Sequence, residues 1–113
     1  MRADGKPRLV KLVRDGVGRF FSPFDNRVDY MPVTEPELAV PALRAKLVEE
    51  VIEYVTNPSL EELADVWEVM AALAYHDLGS TMYEVRTEAE AKRVQHGGFG
   101  ELIGMYITAS GGD

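Results

Sequence analysis

Cysteine is absent from this chain of 113 residues, which excludes disulfides and thiolate metal sites. That absence leans toward a reducing compartment, and cytoplasm is the expected location. No apolar run approaches the ~20 residues needed to span a bilayer, so no membrane partner is expected. The N-terminus has charges but lacks the apolar core and small residues of a signal peptide. Positive charge is also scarce. Twelve basic residues face nineteen acidic ones, for a net charge of -7. Such a balance argues against nucleic acid as a partner, because phosphate binding needs a basic surface. It suits a protein that binds divalent cations and meets anionic substrates through them; ordinary solubility accounts for the charge equally well. Hydrophobic residues make up 46% of the chain, enough for a globular fold. The length fits one small domain, residues 1–113, with limited capacity to bury apolar surface alone.

The order of elements follows from local signals. Residues 1–8 and 109–113 read as loose tails. Residues 9–21 read as a short helix or turn, with Leu9, Leu12 and Val13 at helical spacing and Gly16 and Gly18 weakening it. Phe20, Phe21 and Phe24 form an aromatic cluster suited to packing. Residues 27–34 suggest a short extended segment, placed at an edge by Pro32. Thr34 reads as a helix cap, with Pro41 dividing a lead-in turn from a main helix over 41–54. Leu43, Leu47, Val51 and Tyr54 supply its apolar stripe. After an Asn57-Pro58 corner, Ser59 and Glu62 have the spacing of a capping box. Val66, Val69, Met70 and Leu73 make the second stripe, with Trp67 beside it and Gly79 as the stop after Leu78. A third helix runs from a Ser80 or Thr81 cap through Gln95 to Gly97-Gly98. Residues 99–108 suit a final extended segment. The predicted fold is all-α, or mostly α, with two short extended segments.

The chemistry concentrates in carboxylates. Glu50 and Glu53 are three positions apart, and so are Glu62 and Asp65. On an α-helix each such pair lies about 60° apart around the axis and roughly 4.5 Å along it. All four turn toward the packing side, where a charge needs a partner. That partner is either a basic side chain, with Lys46, Arg44 and Arg93 as candidates, or one or two Mg²⁺ ions held by oxygen ligands. Glu62 has a bland reading too, as the second half of the capping box. Glu61, Glu68, Glu84, Glu88 and Glu90 read as a solvated face. His76, on the inward side of the second helix, reads as a core histidine and His96 as a helix C-terminal cation.

The run Glu49-Glu50-Val51-Ile52-Glu53, followed by Glu62-Leu63-Ala64-Asp65, resembles the EExxE…ExxD pattern of the all-α nucleoside triphosphate pyrophosphatases, the MazG-like superfamily. Lys11-Leu12-Val13-Arg14-Asp15, Glu61 to Val66, and Lys92-Arg93 leading into Gly97-Gly98-Phe99 resemble its phosphoribosyl-ATP pyrophosphohydrolase-like branch. The likeness spans about residues 11–107. Where that branch carries Lys-Ile-Pro after KLVRD, this chain has Gly16-Val17-Gly18.

The resemblance implies a helical hairpin completed as a four-helix bundle in a homodimer. It also implies Mg²⁺, with Mn²⁺ as a substitute, on Glu50, Glu53, Glu62 and Asp65. Water would attack the α-phosphorus of a nucleoside triphosphate, releasing a monophosphate and pyrophosphate. Glu49 reads equally as a surface acid or as the group that positions this water or reaches a second metal. Lys11, Arg14, Lys92 and Arg93 are candidate cations for substrate phosphates, or a basic surface on an acidic protein. The rivals are phosphoribosyl-ATP cleavage in histidine synthesis and a catalytically silent helical interaction module.

Overall fold

The computed structural model describes residues 5, 7–20 and 29–109. The fold is all-α: α1 is Asp15–Phe20, α2 Pro36–Thr56, α3 Leu60–His76 and α4 Met82–His96. No strand occurs among the described residues. Residues 29–34 and 99–108 are neither helical nor paired. Residues 27 and 28, Phe21, Phe24 and the side chain of Phe20 lie outside the described residues. The chain forms two compact units, Met1–Met82 and Tyr83–Asp113. Among the described residues, no helix is long and apolar enough to cross a membrane.

The first unit is built on the hairpin of α2 and α3. Helix α2 starts one residue later than Thr34 suggests. Glu35 is the N-cap, without a side-chain cap bond, and Pro36 opens the first turn. Proline suits that place because its missing N–H would have no helical partner there. Pro41 does not divide the helix, which runs unbroken to Thr56. Pro41 removes only the bond to the Glu37 carbonyl, and both residues are exposed, so water can take that acceptor. At the far end the Asn57 N–H donates to the Glu53 carbonyl at 2.9 Å. Asn57 then leaves helical geometry at φ -139°. Ser59 starts α3, its Oγ accepting the Glu62 N–H at 3.0 Å. Such a cap is worth about 1 kcal/mol. Helix α3 stops at His76, short of Leu78. Gly79 adopts φ 60°, and the Gly79 and Ser80 N–H groups close the end on the Tyr75 and Ala74 carbonyls.

α1 lies later than the spacing of Leu9, Leu12 and Val13 suggests. These three residues precede it in irregular backbone, while Gly16 and Gly18 sit inside it.

Helices α2 and α3 pack on each other through stripes that stay half-buried: Leu43, Leu47 and Tyr54 against Val66, Val69 and Leu73. Ala74 is the one buried apolar residue among those described. Val51 and Met70, expected in the stripes, are exposed, as is Trp67 at 54%. His76 is exposed as well, edge-on to the Tyr75 ring rather than in a core. Two helices offer each other only one face, which leaves the remaining apolar positions on α2 and α3 exposed. Arg44 ties the open end of the hairpin to Asp77 through two 2.9 Å bonds. These bonds lower the Asp77 carboxyl and raise the Arg44 guanidinium.

The second unit carries α4, whose residues from Tyr83 onward are half-buried or exposed. Arg86 and Glu90 pair along it at 3.1 Å. It runs through His96, one residue beyond Gln95, and Gly97 ends it at φ 81°. Beyond it, Phe99, Leu102, Ile103, Tyr106 and Ile107 are all strongly exposed.

Candidate metal centre

The sequence of α2 places Glu50 between Leu47 and Tyr54, on the face turned to α3. The result is a buried carboxylate: Glu50 is 8% exposed, and it is the buried polar residue among those described. Across the hairpin α3 presents Glu62 and Asp65, both half-buried. One carboxylate oxygen from each of Glu50, Glu62 and Asp65 lies within 4.8 Å of the others. A second group of the same compactness joins Glu50 to Glu49 and Glu53. Glu50 is therefore the hinge of five acids, with two on its own helix and two on the next. Glu53 is exposed, at the rim. Of the four carboxylates expected to converge, Glu50, Glu62 and Asp65 come together across the hairpin, while Glu53 groups only with Glu49 and Glu50 on its own helix.

Two internal cations offset part of this charge. Lys46 Nζ donates to Glu49 Oε1 at 3.2 Å and lies 3.5 Å from Glu50 Oε1. Burial pulls the Lys46 ammonium down, but its two glutamate partners outweigh this and hold it above its usual range. Arg14 Nη2 donates to Asp65 Oδ1, from an irregular stretch 51 positions away. The compensation is incomplete. Burial first, and then repulsion from Glu53 and Asp65, push the Glu50 carboxyl up, against the pull of Lys46. Glu50 Oε2 and Glu62 Oε2 are both buried with no hydrogen-bond partner.

Those two orphaned oxygens are the test of whether a cation fits. A buried acceptor left unpaired costs about 1–3 kcal/mol, and more when charged. The donors are all carboxylate oxygens, hard ligands of the kind that Mg²⁺ and Mn²⁺ take. Glu50, Glu62 and Asp65, with Glu53 at the rim, fit such an ion. The Ser59 cap does not exhaust Glu62, since it engages only the Glu62 backbone N–H.

The other expected site residues divide. Lys11 lines a recess of about 190 Å³ with Val10, Leu12, Ala42, Ala45, Lys46 and Glu49. It thus stands near the acids, on the α2 side. Arg14 stands on Asp65, a carboxylate, rather than free for phosphate. Lys92 and Arg93 are exposed on α4, in the second unit. Of the cations weighed as partners of the quartet, Lys46 takes that role and Arg44 is committed to Asp77. Neither the Arg14–Asp65 pair nor the Arg44–Asp77 pair was expected. Only a long-range contact could have revealed them, since no periodicity links their partners.

No family model matches the chain, and no curated protein or solved structure does either.

Proposed function

We propose that this protein is a Mg²⁺-dependent nucleoside triphosphate pyrophosphohydrolase that works as a homodimer. The observation that carries the reading is Glu50, a buried carboxylate with an orphaned oxygen, within 4.8 Å of two further acids from the facing helix. Lys46 serves only its Oε1, which leaves the buried Oε2 in need of another partner. Glu50, Glu62 and Asp65, with Glu53 at the rim, would hold the cation. Bound there, Mg²⁺ would offset part of the charge on the triphosphate and on the leaving pyrophosphate. Glu49, held by Lys46, faces the recess that Lys11 also lines, and orients the attacking water at the α-phosphorus. Lys11 supplies a point charge for phosphate oxygens. The bond between the α- and β-phosphates breaks, giving a nucleoside monophosphate and pyrophosphate.

The second copy follows from the uncovered face of the hairpin. Val48, Val51, Ile52, Val55, Leu63 and Trp67 are all exposed. A like hairpin packed against this face completes a four-helix bundle. The test is a panel of canonical and modified triphosphates, together with phosphoribosyl-ATP, incubated with Mg²⁺ and assayed for pyrophosphate. Pyrophosphate release that Glu53→Gln and Asp65→Asn both abolish supports the reading. Release of single phosphate alone, or of nothing across the panel, overturns it.

A further inference from the structure

Arg14 is bonded to one of the proposed metal ligands, Asp65. Its side chain is 62% exposed, against 27% for that of Asp65. It lies just ahead of α1, with its carbonyl accepting the Val17 N–H at 3.0 Å. Val10, Lys11 and Leu12 line the recess on α2, while Arg14 reaches Asp65 on α3. Residues 10–14 therefore cross the hairpin as a strap at the level of the acids. We infer that Arg14 is a resident counter-cation, which occupies Asp65 while the centre is metal-free and is expelled when a divalent ion binds. This rests on the proposed metal centre.

The physical argument is charge exclusion. Glu50, Glu62 and Asp65 crowd three carboxylates together, and Lys46 serves the Glu49–Glu50 side only. Asp65 needs its own cation, and the strap provides one. A dication held by the same three oxygens would lie within a few ångströms of the guanidinium, where like charges repel strongly in a half-buried setting. The two cations therefore compete for Asp65. Metal loading frees the planar fork of Arg14 at the mouth of the centre, where it can pair with an oxygen of a phosphate. Ion binding and strap release become one event.

The experiment is a calorimetric titration of the full chain with Mg²⁺ and with Mn²⁺, comparing wild type, Arg14→Gln, Arg14→Lys and Arg44→Gln. Arg14→Gln should bind about tenfold more tightly, because a competing charge is gone. Arg14→Lys should stay within about twofold of wild type, since the charge is kept. Arg44→Gln loses the same net charge but pairs elsewhere, so its affinity should match wild type. A second readout needs no affinity change. The Arg14 side-chain Nε–H resonance, assigned by its loss in Arg14→Gln, should move on Mg²⁺ saturation as the guanidinium leaves Asp65. Equal or weaker ion binding by Arg14→Gln, or an unmoved resonance, overturns the strap inference and leaves the metal centre standing. Absence of ion binding in wild type and all variants overturns the metal centre, and the strap inference with it.

Discussion

Replacing Glu50 with Gln should make the metal-free protein more stable and the metal response vanish. The residue is 8% exposed and one of its oxygens is orphaned. Neutralising it removes repulsion from Glu53 and Asp65, and relieves a burial penalty of about 1–3 kcal/mol. What is lost is the attraction to Lys46, an i,i+4 pair at 3.5 Å. Lys46 keeps its 3.2 Å bond to Glu49 in the variant, so this loss is only partial. Relief wins, and a net gain of about 1 kcal/mol should remain. In a chain of this size that raises the unfolding midpoint by about 3–6 °C. With Mg²⁺ the order should reverse. A ligand at about 100 times its dissociation constant stabilises the fold by about 2.7 kcal/mol, and only the wild type can collect it. The assay is a pair of thermal melts by circular dichroism, in EDTA and in Mg²⁺, at one protein concentration. If Glu50→Gln melts below wild type in EDTA, or both proteins rise equally with Mg²⁺, the argument from the buried carboxylate is wrong.

Three further outcomes follow from the same structure. Stability of the metal-free protein should fall as pH rises from about the ordinary glutamate value of 4.5 toward neutrality. The folded state holds the Glu50 proton more tightly than the unfolded state does, so this contribution is complete below 4.5 and lost through the raised folded value. Urea melts across that window check it, and a slope unchanged in Glu50→Gln would refute the assignment. The lowered Asp77 acts only below its ordinary 3.8, outside the window. Ser59→Ala should cost about 1 kcal/mol by removing the cap on α3, read as a lower urea midpoint with the slope unchanged. Trp67→Glu should split the proposed dimer. Sedimentation should give the 12.6 kDa chain mass for the variant and twice that for wild type, and a wild type at 12.6 kDa would sink the proposed bundle.

The acids were legible because their geometry is local. Glu50 with Glu53, and Glu62 with Asp65, share a helix face by spacing alone, and the Asn57-Pro58-Ser59 corner brings the two faces together. Ser59 was legible for the same reason. Arg14 on Asp65 was not, since irregular backbone carries no period from which to infer a distant partner. Pro41 misled because a proline penalises one hydrogen bond, and a helix anchored along α3 tolerates that loss near its start. Trp67, Met70 and His76 misled in another way. A helical wheel tells which side is apolar but not how many neighbours are present to cover it.

The short link between α2 and α3 has a consequence for how the centre comes into being. Glu50, Glu62 and Asp65 belong to one uninterrupted run of chain, bent once at residues 57–59. Contacts so close in sequence close early and quickly during folding, before distant parts of the chain need to arrive. The three oxygens of the proposed centre therefore meet as soon as this one hairpin closes.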